Sequence, residues 1–106
     1  MPSKQEQQML AQAQVYQQQM QMILAQRETL DMQQKEIENA LVEMKKTKEK
    51  EVYKIAGTVL VKDSKVAVIK DLSGKKKLID TQLKRLEINE KRIKEKVDEL
   101  VNKVKS

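Results

Sequence analysis

Apolar side chains return along the first forty-odd residues at steps that alternate four and three: Met9, Ala13, Tyr16, Met20, Ile23, Arg27, Leu30, Gln34, Ile37, Leu41 and Met44. Nine of these eleven positions are apolar or the amphipathic Tyr, and Arg27 and Gln34 are the exceptions. A mean step of about 3.5 residues is the period of a coiled-coil seam. No Pro or Gly interrupts residues 3–56. The pattern therefore predicts one helix over residues 4–48, roughly 65 Å long at the usual rise per residue.

The last forty residues repeat the same rhythm through Ile69, Leu72, Lys76, Ile79, Leu83, Leu86, Glu90, Ile93, Val97, Leu100 and Val104. Lys76 and Glu90 are the polar members. A second helix is expected over residues 64–104, with Asp63-Ser64 offering its N-cap. Ser73-Gly74 lies inside the pattern, and Gly costs a helix interior about 1 kcal/mol relative to Ala, so a frayed or bent start is expected there.

The texture between the helices differs. Val52-Tyr53-Lys54-Ile55 and Thr58-Val59-Leu60-Val61-Lys62 are rich in β-branched residues, and Ala56-Gly57 separates them. Two short apolar runs divided by a Gly-containing pair predict a β-hairpin over residues 52–62, with Gly57 supplying the positive φ of a tight turn. The alternative, in which residues 65–69 form a further strand after a turn at 62–65, stays open at this stage.

The order helix, hairpin, helix folds back on itself if the chain reverses at its middle. The expected fold class is mostly α: a long antiparallel two-helix coiled-coil hairpin with a central β-hairpin, one domain over residues 1–106. In the register that pairs all eleven seam positions, Met9 lies opposite Val104, Met20 opposite Ile93 and Leu30 opposite Leu83. Each polar seam residue then faces an apolar one: Arg27 faces Leu86, Gln34 faces Ile79, Lys76 faces Ile37 and Glu90 faces Ile23. Arg27 and Glu90 are about one helical turn from direct opposition, close enough to be expected to interact and set register. A lone two-stranded hairpin is marginal in water and its open edges invite pairing, so the hairpin is also where subunits should join.

Composition narrows the function classes. The chain has 106 residues, two aromatics, no Phe and no Trp, which leaves little material for a compact globular core. It has no Cys and no His, so disulfides, thiol nucleophiles and imidazole acid/base chemistry are excluded. The two glycines are far apart, no phosphate loop exists, and the acidic pairs form no metal-binding constellation. No enzyme activity and no cofactor are expected. No apolar run approaches the roughly 18 residues that span a membrane, and residues 1–8 lack an apolar signal core, so a cytoplasmic protein is expected.

The net charge of +6 is uneven: residues 1–46 carry five basic and six acidic side chains, and residues 47–106 carry seventeen and ten. Basic clusters at Lys75-Lys76-Lys77 and Lys91-Arg92 raise the question of nucleic acid. Interleaved acids and the absence of nearby aromatics for base stacking argue instead for a solvated helix face. Twelve of thirteen glutamines fall in residues 5–34, together with four methionines, and flexible Met suits surfaces that accept many partners. Where the helices end away from the hairpin, seam residues run out of neighbours. Met9, Leu10, Ala13, Leu100, Val101 and Val104 are the candidate residues of an apolar binding patch there.

The segment Val52-Tyr53-Lys54-Ile55-Ala56-Gly57-Thr58-Val59-Leu60-Val61-Lys62 resembles the hairpin of beta-type subunits of the prefoldin family. The Gln-rich opening with Tyr16 before Gln17-Gln18-Gln19, and residues 82–86 leading into a charged helix, are similar too. The resemblance covers essentially the whole chain. It implies a subunit with one hairpin that assembles, two alpha-type with four beta-type, into a hetero-hexamer. The joint is a double β-barrel platform, here through Val52, Tyr53, Ile55, Gly57, Val59, Leu60 and Val61. It further implies an ATP-independent holdase whose coiled-coil tips capture unfolded proteins and pass them to a group II chaperonin. The other reading of the residues is an adaptor coiled coil that scaffolds a complex without touching unfolded clients.

Overall fold

The structure, a computed structural model, describes residues 3–105. Four elements follow one another: α1 (Lys4–Lys46), β1 (Glu51–Ala56), β2 (Val59–Ser64) and α2 (Lys65–Lys105). The heptad explains both helices. Along α1 the side chains withdrawn at least partly from solvent include Met9, Tyr16, Met20, Ile23, Leu30, Gln34, Ile37, Leu41 and Met44, while Ala13 and Arg27 stay exposed. Along α2 they include Ile69, Leu72, Lys76, Ile79, Leu83, Leu86, Glu90, Ile93 and Leu100.

The element ends are set by local hydrogen bonds. Ser3 Oγ accepts the Glu6 N–H at 3.1 Å and caps α1. Ser64 Oγ accepts the Ala67 N–H at 3.1 Å and caps α2, one residue after the start expected at 64. The first helix stops two residues short of 48, and the strands extend one residue before 52 and two beyond 62. Residues 65–69 are helix, which removes the alternative of a further strand. The hairpin turn also shifts by one residue. Ala56 pairs with Val59, so Gly57 and Thr58 form the turn, and Gly57 has φ +64°. Among the described residues no non-Gly residue has positive φ, so only the first central residue of the turn does, as in a type II′ turn.

The expected break at Ser73-Gly74 is absent: α2 runs through both residues. Their neighbours explain why. Leu72 is half-buried, Ile79 is buried, and Lys76 Nζ lies 3.5 Å from the Glu38 carboxylate. Tertiary anchoring on both sides outweighs a local penalty of about 1 kcal/mol.

Contacts divide the chain into two units. The unit Leu30–Gln82 holds the β-hairpin with the flanking parts of both helices. Its base is closed by the Lys65 N–H donating to the Lys50 carbonyl at 2.8 Å and by Lys65 Nζ donating to the Thr47 carbonyl at 2.7 Å. Lys76 reaches Glu38, and the Gln34 amide donates to the Asp80 carboxylate. Partners on α1 descend in number as those on α2 rise, so the two helical segments are antiparallel. The second unit joins the chain up to Thr29 with the chain from Leu83 on. Ile23, Ile93 and Leu100 are buried there, and Arg27 pairs with Glu90 at 3.0 Å.

Candidate functional site

The hairpin presents apolar groups on both of its faces. Side chains alternate along a strand, and the observed register puts Val52, Lys54 and Ala56 with Val59, Val61 and Asp63 on one face. Tyr53 and Ile55 with Leu60 share the other. Val52 is buried at the base. The remaining apolar members are open to solvent, Ile55 most of all at 79%. Gly57 makes the turn that brings the two rows into register. Both strands are edges, because the sheet has only these two. A hairpin that exposes two apolar faces and two unpaired edges is incomplete as a folded object and fit for burial against another chain.

Two diagonal ion pairs trim the hairpin. Lys54 Nζ lies 3.0 Å from Asp63, and Lys62 Nζ lies 2.7 Å from Glu51. The Lys54 ammonium, donating to the Asp63 carboxylate, holds that carboxyl below its ordinary value, and the Ser64 N–H adds to the effect. The same hydrogen bond and the charge of Asp63 hold Lys54 above its ordinary value.

The helix ends carry the second surface. Leu10, Val101 and Val104 are 57%, 43% and 69% exposed, Met9 is half-buried, and the small Ala13 is exposed. Leu100 departs from expectation: it is only 9% exposed. It occupies a seam position, and the seam is still closed at its height, so Leu100 belongs to the packing and not to the open patch. Beside the patch lies an open groove of about 540 Å³ whose floor is mainly apolar, lined by Ala13, Tyr16, Gln17, Met20 and Gln21 from α1 and by Ile93, Lys94, Val97 and Asp98 from α2. A short side chain at Ala13 leaves space where a longer seam residue would fill it.

The polar seam residues find partners that the heptad alone does not reveal. Arg27 and Glu90 meet as expected from their spacing, and Lys94 joins Glu90 at 3.2 Å. The heptad does not predict the pairs Gln34–Asp80 and Lys76–Glu38. In each, the partner follows by one residue the apolar side chain expected opposite, and that offset is a signal the sequence does contain. Among the described residues, no group of three or more Asp, Glu, His or Cys side chains could hold a metal, and no helix is long and apolar enough to cross a membrane.

Comparison with known proteins agrees with this geometry. Residues 7–106 match the family described as "Prefoldin subunit". The chain is 36% identical to the prefoldin subunit beta of Thermococcus onnurineus over 99 residues, which is 92% of this chain and 85% of the relative. It is 36% identical to the prefoldin subunit beta of Archaeoglobus fulgidus over 101 residues, covering 94% and 87%. The crystal structure of the prefoldin beta subunit from Thermococcus strain KS-1 superposes with a TM-score of 0.88 at 33% identity, covering 96% of this chain and 90% of that one.

Proposed function

The chain belongs to the prefoldin subunit family, and from that premise we propose that its two apolar surfaces divide the work of a holdase: the hairpin assembles subunits and the helix ends grip unfolded clients. The co-chaperone role is that of the family, whose known function is hand-off to a chaperonin, and the family is one of chaperones and not an enzyme class. Prefoldin beta subunits form complexes with other prefoldin subunits, of alpha and beta types. For this chain the partners are an alpha-type subunit, in an assembly of two alpha-type and four beta-type chains, then unfolded proteins and a group II chaperonin in the cytoplasm. No chemistry and no nucleotide enter the cycle.

The observation that carries the reading is the exposure of Leu10, Val101 and Val104 beside a groove that the seam leaves open. A large apolar residue covered by a client removes on the order of 100 Å² from water, worth a few kcal/mol for a whole tip at about 25 cal/mol per Å². That is weak enough to release and strong enough to hold when several tips act together. Hairpin burial supplies the platform that brings tips together, through Val52, Tyr53, Ile55, Gly57, Val59, Leu60 and Val61.

The test replaces Leu10, Val101 and Val104 with Ser and leaves buried Leu100 in place. The assembled variant is expected to keep its mass and helicity and to lose suppression of aggregation of a denatured model protein. Full protection by the variant would move client binding elsewhere. An assembly that never protects, native or variant, would favour the scaffold reading.

A further inference from the structure

Residues 7–26 of α1 hold no Asp, Glu, Lys or Arg and nine glutamines. All nine are exposed, and among the described residues their carboxamides make no hydrogen bond within the chain. The part of α2 in the same unit is unlike it: residues 87–105 carry eleven charged side chains in nineteen. Helix propensity does not explain the difference, because Glu and Lys form helix about as well as Gln. Nor does the seam, because the uncharged positions include the side of α1 turned away from it. Gln8, Ala11, Val15, Gln18, Met22 and Ala25 follow steps of three and four on that outer side, and all are exposed, Val15 at 49% and Met22 at 62%. Gln7, Gln14 and Gln21 run along one flank of this stripe, and Gln12, Gln19 and Gln26 along the other.

A solvated face has no reason to exclude charge. A face covered by chains of differing sequence does, because a charge buried without its partner costs several kcal/mol. A carboxamide offers two donors and an acceptor, and so pairs with whatever peptide group is laid on it. We propose that the outer side of α1 takes an extended, unfolded segment of a client, with side chains over Val15 and Met22 and backbone N–H and C=O groups on the two rows of glutamines. The inference rests on the holdase reading and deepens it: the helix ends grip apolar side chains, and the glutamines read the peptide backbone that every client has. An extended segment presents unpaired peptide groups along both of its edges. The distance from Gln7 to Gln26 is about 30 Å, which roughly nine extended residues span. A folded helix fits less well, since its peptide groups already bond one another. A second copy of the chain fits less well too. Val15 and Met22 offer on the order of 100 Å² each, against about 800 Å² per partner in a stable interface.

The experiment titrates the isotope-labelled full chain, followed by its backbone and side-chain amide resonances, with two peptides. One is a capped, uncharged, unstructured peptide of that length, and the other is its counterpart N-methylated at alternate residues, which keeps the side chains and removes backbone donors. The unmodified peptide is expected to shift carboxamide resonances in both glutamine rows. The N-methylated one should bind about tenfold more weakly, since a few hydrogen bonds of ordinary strength sum to that. Replacing Gln7, Gln12, Gln14 and Gln19 with Met keeps helix propensity and removes carboxamides from both rows. That variant should bind the two peptides equally, with helicity unchanged by circular dichroism. The proposal is overturned if the native chain binds both peptides equally, or if the Met variant keeps the tenfold preference. Shifts confined to Leu10, Val101 and Val104 overturn it and leave the holdase reading standing. Stripe resonances that move with the concentration of the chain and not with peptide overturn it in favour of a second copy. No shift anywhere overturns it as well, and ends the holdase reading only if the assembled oligomer also fails to protect a denatured protein.

Discussion

Glycine acts in opposite senses at its two positions. Gly57 has φ +64°, a conformation that costs an L-residue about 1–2 kcal/mol, so Gly57→Ala should destabilise the hairpin by about that amount. Gly74 is helical, and a Cβ built there meets nothing within 4 Å. Gly74→Ala should therefore stabilise the chain by about 1 kcal/mol in denaturant unfolding. Space is available at both residues, and backbone angle alone separates them. The Lys54–Asp63 pair makes a pH prediction. Asp63 is held below its ordinary value, so its contribution is present above the unfolded carboxyl pKa and is lost as pH falls through the lowered folded value. Lys54 is held above its ordinary value, so the same tie is present below the unfolded amine pKa and is lost as pH rises through the raised one. Protection of the β1 and β2 amides, taken against their intrinsic exchange rates, should fall at both extremes and stay flat between them, and Asp63→Asn should abolish the acid limb.

At the scale of elements, packing decides where a helix may continue and how two helices align. The seam is apolar in kind but interrupted on both strands, and each interruption is answered from the facing helix: Arg27 by Glu90, Gln34 by Asp80, Lys76 by Glu38. An uninterrupted apolar seam could slide by a heptad at little cost, whereas these pairs match in only one register. A double-mutant cycle on Arg27 and Glu90 should give a coupling of about 0.5–1 kcal/mol, the range for a partly exposed pair, and a coupling of zero would remove it as a register device. The β-hairpin is the weaker element by itself. Replacing Val59 and Val61 with Lys should disperse the assembled oligomer in size-exclusion chromatography while helical content stays near native. An intact oligomer would show that the hairpin is not the joint.

For the molecule as a whole, if the helix ends grip clients as proposed, the co-chaperone role depends on repetition. Each tip offers only a few exposed apolar side chains, so a single chain should hold a client poorly. Linking tips on one platform raises the effective concentration of each for a client already bound by another. Assemblies built from mixtures of native and tip-substituted subunits should therefore lose protection more steeply than the fraction of substituted subunits. A strictly proportional loss would mean that tips act one at a time.

Periodicity by itself determined the two helices, because a 3.5-residue apolar repeat has one stable use, and β-branched runs around Gly57 determined the hairpin for the same reason of local geometry. The scarcity of aromatics and the absence of cysteine and histidine narrowed the chemistry the chain can offer. Tertiary structure decided the rest. It carried α2 through Ser73-Gly74, since Leu72, Lys76 and Ile79 are anchored on either side. It made residues 65–69 helical, since Lys65 and Ser64 find their hydrogen bonds at the hairpin base and the cap. It withdrew Leu100 from the candidate patch and left Leu10, Val101 and Val104 in it, a distinction no hydropathy pattern contains. Exposure depends on what lies across the seam at each height, and only the folded pairing of α1 with α2 supplies that neighbour.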